Sequence, residues 1–200
     1  MITAKSTKPS STCTAKYRTL YRGAGHGKRR AQPSLAQLVR LSPLRAFMAT
    51  SFVTPDQDTI VTEIDIAAPA DRVFRGICDA ETVRRRAPYI DVFEMELRVG
   101  GKWRMDVRMP KPHRGVSLVK HDGEILELDA PRLIAYSWFA NFHADPRHRS
   151  IVRWELTPTK SGTHVKVTHS GLATEPAACK DYAGGWPGVL QELKGFAEKQ

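Results

Sequence analysis

Two stretches of alternating residues, joined by a pair of glycines, constrain the fold of this chain most strongly. Every second residue is apolar in 93–99 and again in 103–109, and the residues between them are mostly charged. Gly100 and Gly101 supply the positive φ that a tight turn between the two stretches needs. One face of this hairpin is therefore expected to be buried and the other exposed to solvent, which predicts an antiparallel sheet with one apolar side.

Further elements precede and follow the hairpin. Apolar residues alternate in 60–66, and helical spacing follows in 70–78 and again from about residue 80 to 86, before Pro88. Additional strands are predicted at 117–128 (with a break near Asp122 and Gly123), 133–140, 151–157 and 163–170. This order predicts an α+β protein in which helices are grouped at the two ends of a run of antiparallel strands.

The chain closes with a helical stripe of large apolar residues. Pro187 suits the first turn of this helix, because its missing N–H has no partner there in any case. The stripe is long enough to need a covering surface, and the curved sheet is the surface available. Its members are Trp186, Val189, Leu190, Leu193, Phe196 and Ala197.

Positive charge is concentrated at the start of the chain. Residues 1–47 contain ten Lys and Arg and no Asp or Glu, whereas the whole chain has 31 basic and 21 acidic residues, so the remainder is neutral. We predict a basic, disordered tail over 1–57 and one domain over 58–200. The tail fits an organelle transit peptide, a stretch translated from too early a start codon with Met48 as the true start, or a functional basic arm. The neutral domain argues against a basic DNA-binding fold.

Cysteine use and hydropathy narrow the class further. Cys13, Cys78 and Cys179 are odd in number, widely spaced and form no C-x-x-C pair, which fits neither a disulfide framework nor a zinc site. No apolar run reaches the roughly 18–20 residues that span a bilayer. We therefore predict a cytoplasmic protein, or one of an organelle matrix if the tail is a transit peptide, with no nucleic-acid or membrane partner.

Five segments in order along the chain resemble the motifs of one superfamily. They lie at 64–74, 99–104, 123–133, 168–172 and 185–193, and include VGGKWR and THSGL. Together they are similar to the START-like, birch-pollen-allergen-like superfamily, also called SRPBCC, in its branch homologous to the C-terminal domain of the heat-shock-protein-90 ATPase activator. The resemblance implies a helix-grip fold. In this fold a curved antiparallel sheet wraps a long C-terminal helix, two short helices follow the first strand, and a cavity lies between sheet and helix.

The implied cavity leads to three hypotheses on function. The first is a noncatalytic module that binds a small apolar or aromatic molecule. The second rests on the resemblance alone and is a domain that docks on the heat-shock-protein-90 chaperone and stimulates its ATPase. The third is an enzyme like a polyketide cyclase or aromatase, which orients a substrate in the cavity. The inward faces carry neither paired carboxylates nor a nucleophile motif, so we assign no catalytic residue and no cofactor, and favour a protein that is not an enzyme.

Candidate ligand contacts come from the inward-facing positions of the strands and from the last helix. The aromatic side chains among them either line a cavity or fill the core, and their polar tips suit both roles. His169 has the position to bond a ligand or act as a base, although a core histidine is the commoner case. The candidates are Trp103, Met105, Tyr136, Trp138, Trp154, His169 and Trp186.

At the expected cavity mouth the chain departs from the branch that it resembles. That branch usually carries a Trp-rich segment where residues 84–89 read Arg-Arg-Arg-Ala-Pro-Tyr. Arg85, Arg86 and Tyr89 are the candidates here. An arginine cluster favours an anionic ligand, whereas three arginines on a short exposed helix are more often a solvated face.

One further cluster has the chemistry of a metal site. His143, Asp145 and His148 lie close together in a loop that contains a proline, but they lack a repeated ligand spacing. We interpret this segment as a solvated hairpin loop and predict no metal.

Overall fold

A computed structural model of the protein describes residues 48–199. The predicted disorder of residues 1–47 and the three interpretations of that segment fall outside the described residues. So does Gln200.

The described part of the chain forms one curved antiparallel sheet of eight strands, in the order β1-β2-β8-β7-β6-β5-β4-β3. Every neighbouring pair is antiparallel. The predicted α+β helix-grip fold is thereby confirmed. The strands are β1 (Thr50–Val53), β2 (Ile60–Ile66), β3 (Ile90–Met95), β4 (Lys102–His113), β5 (Val116–Asp129), β6 (Leu133–Ala140), β7 (Ser150–Thr159) and β8 (Gly162–Ser170).

Two short helices follow β2 and one long helix ends the domain: α1 (Ala70–Cys78), α2 (Ala80–Arg86) and α3 (Pro176–Ala197). Asp79 begins α2 as an N-cap, since its carboxylate accepts a hydrogen bond of 2.8 Å from the Thr82 amide. Helix α3 packs on β1, β2 and α1. No helix among residues 48–199 is long and apolar enough to cross a membrane.

The start of α3 differs from the prediction. The helix begins at Pro176, and Pro187 lies inside it rather than in its first turn. Pro176 is the residue that occupies the first turn, where a missing N–H costs nothing. Ala178 and Cys179 are buried and anchor the early part of the helix. Packing on both sides of Pro187 therefore outweighs the local cost of a proline in a helix interior.

In the hairpin around the two glycines, the first strand, β3, ends earlier than predicted. Strand β3 ends at Met95, and the Leu97 and Val99 side chains are 48% and 61% exposed instead of covered. The chain turns away from the ladder there, because the Arg98 amide bonds to the Glu96 carbonyl at 2.7 Å and the Gly101 amide bonds to the Arg98 carbonyl at 2.9 Å. The predicted break in β5 is absent, and the strand runs through Gly123.

The sheet begins before the predicted domain boundary at residue 58. Strand β1 pairs with β2 from Thr50 opposite Glu63 to Val53 opposite Ile60. This short strand forms one edge of the sheet, and its partner β2 has the predicted alternation of buried and less buried residues.

The inner face of the sheet has two parts. In the filled half, the inner faces of β2, β7 and β8 are covered by α1 and α3. Ile64, Val165 and Leu190 are at most 2% exposed there. In the hollow half, the inner faces of β3, β4, β5 and β6 border a cavity. The candidate site lies in the hollow half, because the helices cover the two parts of the sheet unequally.

Candidate functional site

The hollow half faces a cavity of about 390 Å³. Its wall comes from the inner side chains of β3 to β6 and from Trp154 of β7, and α1, α2 and α3 close it. Two of the side chains named from the sequence, His169 and Arg85, do not line it. The eight that do are Trp103, Met105, Tyr136, Trp138, Trp154, Trp186, Arg86 and Tyr89.

Trp103 reaches across a whole strand to form part of the wall. It pairs with Gly123 in the β4–β5 ladder, and its indole N–H donates a hydrogen bond of 3.0 Å to the Ser137 carbonyl on β6. A side chain at position 123 would collide with that carbonyl oxygen and would lie 2.5 Å from the Trp103 Nε1 atom. Glycine is required there because the Ser137 carbonyl and the indole that bonds to it occupy the space of a side chain.

The rings in the wall form one continuous aromatic surface. The Trp103 ring centre lies 5.0 Å from that of Trp138 and 4.8 Å from that of Tyr136. Beside them, Trp154 and Trp186 meet edge to face at 5.6 Å with their planes at 80°, and the Trp186 ring centre lies 6.2 Å from that of Trp138. Such offset and tilted pairs are the favourable arrangements of aromatic rings.

The polar tips of these rings are bonded to the protein itself. The Trp154 indole donates to the Tyr136 hydroxyl at 2.8 Å, and the Trp138 indole donates to the Tyr182 hydroxyl at 2.9 Å. Burial raises the pKa of both tyrosines above its ordinary value, so both hydroxyls keep their protons at neutral pH. The wall therefore offers a molecule in the cavity mainly apolar ring surface.

His169 lies behind Trp186 as a fully bonded core histidine. The Trp186 indole donates to its Nδ1 at 3.2 Å, which leaves the proton on Nε2, and Nε2 donates to the Ser150 hydroxyl at 2.8 Å. That hydroxyl donates in turn to the Trp138 carbonyl at 3.2 Å. Burial lowers the pKa of His169 to about 3, so the ring is neutral. This network orients Trp186 toward the cavity.

Two histidines, His113 and His121, border the cavity, and His121 is the buried one. Its ring centre lies 4.5 Å from that of Trp138 with the ring planes tilted at 53°, and its Nδ1 atom is buried without a hydrogen-bond partner. Burial lowers the pKa of His121 to about 3. A buried polar atom left unpaired in a native protein is uncommon and is often explained by a ligand, a water or a functional role.

The arginine cluster divides between solvent and cavity. Arg84 and Arg85 are exposed, and the Arg85 guanidinium lies 5.2 Å from the centre of the Phe196 ring. The Arg86 side chain is only 9% exposed and lines the cavity. Tyr89 lies beside it and donates a hydrogen bond of 2.7 Å to Glu192, while burial raises the pKa of Tyr89 to about 12.

The predicted set omits several wall residues, among them His121 and Tyr182. His121 shares the inward-facing side of β5 with Val119, so extending the alternation along β5 would have found it. Tyr182 lies in the part of α3 before Pro187, so the late predicted start of the helix concealed it.

The loop of His143, Asp145 and His148 is more structured than predicted. His143 is 8% exposed and bonds through Nε2 to the Tyr182 hydroxyl at 2.6 Å, which corrects its interpretation as a solvated residue. The loop is held because Glu175 accepts hydrogen bonds from the amides of Ala144 and Asp145 at 3.2 and 3.0 Å. Within residues 48–199, no group of three or more His, Cys, Asp and Glu side chains is arranged to hold a metal ion.

Comparison with known families adds one match. The family described as Activator of Hsp90 ATPase homolog 1-like protein matches residues 67–198. That range includes β3 to β8 and all three helices, and thus every wall residue of the cavity named above. No curated protein sequence matches the chain.

Solved structures with the same fold come from several bacteria. Protein MLL2253 from Mesorhizobium loti is 22% identical, with 71% of this chain and 98% of that chain covered and a TM-score of 0.57. For NE0264 from Nitrosomonas europaea the identity is 17%, the coverage 74% and 99%, and the TM-score 0.59. For CalU16 from Micromonospora echinospora the identity is 20%, the coverage 74% and 83%, and the TM-score 0.52. At this identity the likeness is one of fold.

Proposed function

The chain belongs to the family of Activator of Hsp90 ATPase homolog 1-like proteins, and from this premise we propose that it is a binding protein for one small apolar or aromatic molecule. The observation that carries the proposal is the cavity of about 390 Å³ bounded by aromatic rings. Ligand pockets have volumes of this order and are walled mainly by apolar and aromatic side chains.

The energetics of an apolar void support an occupant. Ring atoms that border open space lack the dispersion contacts of a close-packed interior. The indole N–H groups of Trp103, Trp138 and Trp154 already have partners, so the aromatic part of the wall offers water few hydrogen bonds. A ring-shaped apolar ligand recovers the lost contacts.

Proton transfer has little support in this wall. A general acid or base works best with a pKa near the operating pH. His121 has a pKa of about 3 because it is buried, and burial moves the pKa of Tyr136 upward from an already high value. Neither group exchanges protons readily near neutral pH, which favours a binding protein over the cyclase-like alternative.

A neutral fluorescent probe tests the proposal. We expect phenylnaphthylamine, an uncharged aromatic dye that brightens in apolar surroundings, to bind with one site per chain. Met105→Trp, which adds a ring at the cavity wall, is expected to weaken binding by about tenfold or more, equivalent to about 1.4 kcal/mol. Arg104→Trp is the matched control, because Arg104 precedes Met105 on β4 and its side chain is 51% exposed on the outer face.

Three results would count against the proposal. Probe fluorescence that does not saturate, or equal affinity for the two tryptophan variants, would remove the cavity as a binding site. An increased ATPase rate on adding the protein to the Hsp90 chaperone, unaffected by Met105→Trp, would favour the chaperone-activating alternative instead.

A further inference from the structure

The wall of the cavity contains one buried cation. Arg86 ends α2 with its side chain 9% exposed, whereas Arg84 and Arg85 on the same short helix are exposed. A guanidinium has five N–H donors and stays charged at neutral pH. Removing such a charge from water is costly unless it is paired and hydrogen-bonded.

The protein itself pairs this cation incompletely. The guanidinium faces Glu192, with 3.6 Å between the Arg86 Nη1 and Glu192 Oε2 atoms, which is longer than a hydrogen bond. The same Glu192 oxygen accepts the Tyr89 hydroxyl at 2.7 Å, and the Glu192 side chain is 40% exposed to water. The Nε atom of Arg86 is buried with no hydrogen-bond partner. The guanidinium thus keeps unused N–H donors at this end of the wall.

The anion that also lines the cavity is already engaged elsewhere. Asp181 forms an ion pair of 2.8 Å with Arg114 and contacts His113 at 3.2 Å. His121 is neutral at pH 7, since burial lowers its pKa to about 3. Among the wall residues that the structure describes, Arg86 is therefore the charged side chain with a buried N–H donor to spare.

A second donor lies near the same end. The Tyr136 hydroxyl accepts a hydrogen bond from Trp154, which leaves its own O–H to donate. Tyr136 and Arg86 both line the cavity, and the cation of Arg86 lowers the pKa of Tyr136 against the larger opposing effect of burial. An oxyanion placed here meets a guanidinium and a hydroxyl in surroundings of low dielectric constant, where such bonds are strong.

We propose that the molecule bound in this cavity is an aromatic acid, whose carboxylate or similar oxyanion pairs with Arg86 while its rings contact the aromatic wall. This inference rests on the proposed function and names the chemical class of its ligand.

A pair of compounds that differ in charge tests the inference. Naphthoate and naphthamide have nearly the same shape, and calorimetric titration at neutral pH gives the affinity of each. We expect the wild-type protein to bind the acid at least about tenfold more tightly than the amide, a preference worth about 1.4 kcal/mol. Arg86→Met is expected to abolish the preference while leaving the affinity for the amide within about twofold, because the rings still have their wall.

Arg85→Met is the matched control, since it removes the same charge from the exposed face of the same helix. It is expected to keep the preference for the acid, which excludes a general effect of net charge. Thermal unfolding of each variant checks the fold. If Arg86→Met does not fold, Arg86→Lys serves in its place: it keeps the charge but lacks the planar fork, and we expect a reduced preference.

Three outcomes would overturn the inference. These are equal affinity of the wild-type protein for acid and amide, an unchanged preference in the Arg86 variant, or an equal loss in the Arg85 and Arg86 variants. Binding of phenylnaphthylamine in any of these cases would leave the proposed function standing without its acidic ligand. Failure of all three compounds to bind would remove the proposed function as well.

Discussion

The filled half and the hollow half belong to one sheet, yet each holds its buried histidine differently. His169 in the filled half is bonded at both ring nitrogens, whereas Nδ1 of His121 in the hollow half has no partner. Burial lowers the pKa of both to about 3. A shifted pKa therefore does not distinguish a structural histidine from one at a binding site, and the hydrogen-bond partners do.

The largest expected difference between the halves is in packing. Leu190→Ala in the filled half is expected to lower the free energy of unfolding by about 2–5 kcal/mol, because the fully buried side chain leaves a new cavity. Met105→Ala in the hollow half is expected to cost less than about 1 kcal/mol, since Met105 already borders open space. Urea unfolding measures both. Equal losses would mean that the hollow half is packed solid in solution.

The two histidines are expected to respond to the same substitution to different extents. His169→Leu leaves the buried Trp186 indole N–H without its acceptor, at a cost of about 1–3 kcal/mol, and removes the hydrogen bond to the Ser150 hydroxyl. His121→Leu removes a ring whose Nδ1 atom is already unpaired, so this variant is expected to lose less stability than His169→Leu. Thermal unfolding followed by circular dichroism decides it, and similar losses in both variants would contradict the distinction.

The two buried histidines also make the free energy of unfolding depend on pH, and the sign of this smaller effect follows from their pKa values. In the unfolded chain a histidine takes up a proton near pH 6.5, whereas buried His121 and His169 do so only near pH 3. Between these values the unfolded state binds more protons, so stability falls as the pH falls, by at most about 1.4 kcal/mol per pH unit for each histidine. His121→Leu removes one contribution and is expected to show a shallower dependence. His143, whose pKa burial lowers to about 4, contributes equally in both proteins. Urea unfolding at several pH values measures this dependence, and an equal change of stability with pH in the wild-type protein and His121→Leu would show that His121 is not buried.

On the outer face the two halves are expected to behave alike. Lys102 pairs with Glu124 at 2.6 Å in the hollow half, and Lys166 pairs with Glu155 at 3.4 Å in the filled half. All four side chains are more than a third exposed, so Lys102→Ala and Lys166→Ala are each expected to cost less than about 1 kcal/mol. A large cost on one side only would extend the difference between the halves to the solvent face.

Strand geometry explains which parts of the site were predictable. Side chains alternate strictly along a strand, so the apolar pattern alone is enough to place Trp103, Tyr136 and Trp154 on the inner face. The same alternation fails at Leu97 and Val99, because the apolar pattern continues past the last residue of the ladder. Alternation in the sequence therefore does not predict the residue at which the pairing with the neighbouring strand ends.

Other parts depend on packing that the sequence pattern does not record. The three adjacent arginines are chemically identical, and the docking of α2 beside β3 decides that Arg86 faces the cavity while Arg85 faces Phe196. Tyr182 was concealed because Pro187 has the local character of a helix start, and the buried residues before it carry the helix through. In both cases contacts distant in sequence override a local preference.

The Trp103 side chain has a consequence for how the sheet opens. Its indole passes over Gly123 and ties β4 to β6, skipping the strand between them. Separating β5 from either neighbour therefore also requires that the indole be displaced from the Ser137 carbonyl. The backbone amides of these three strands are then expected to exchange their hydrogens with solvent as one cooperative unit. The aromatic wall of the cavity therefore opens as a whole or stays closed.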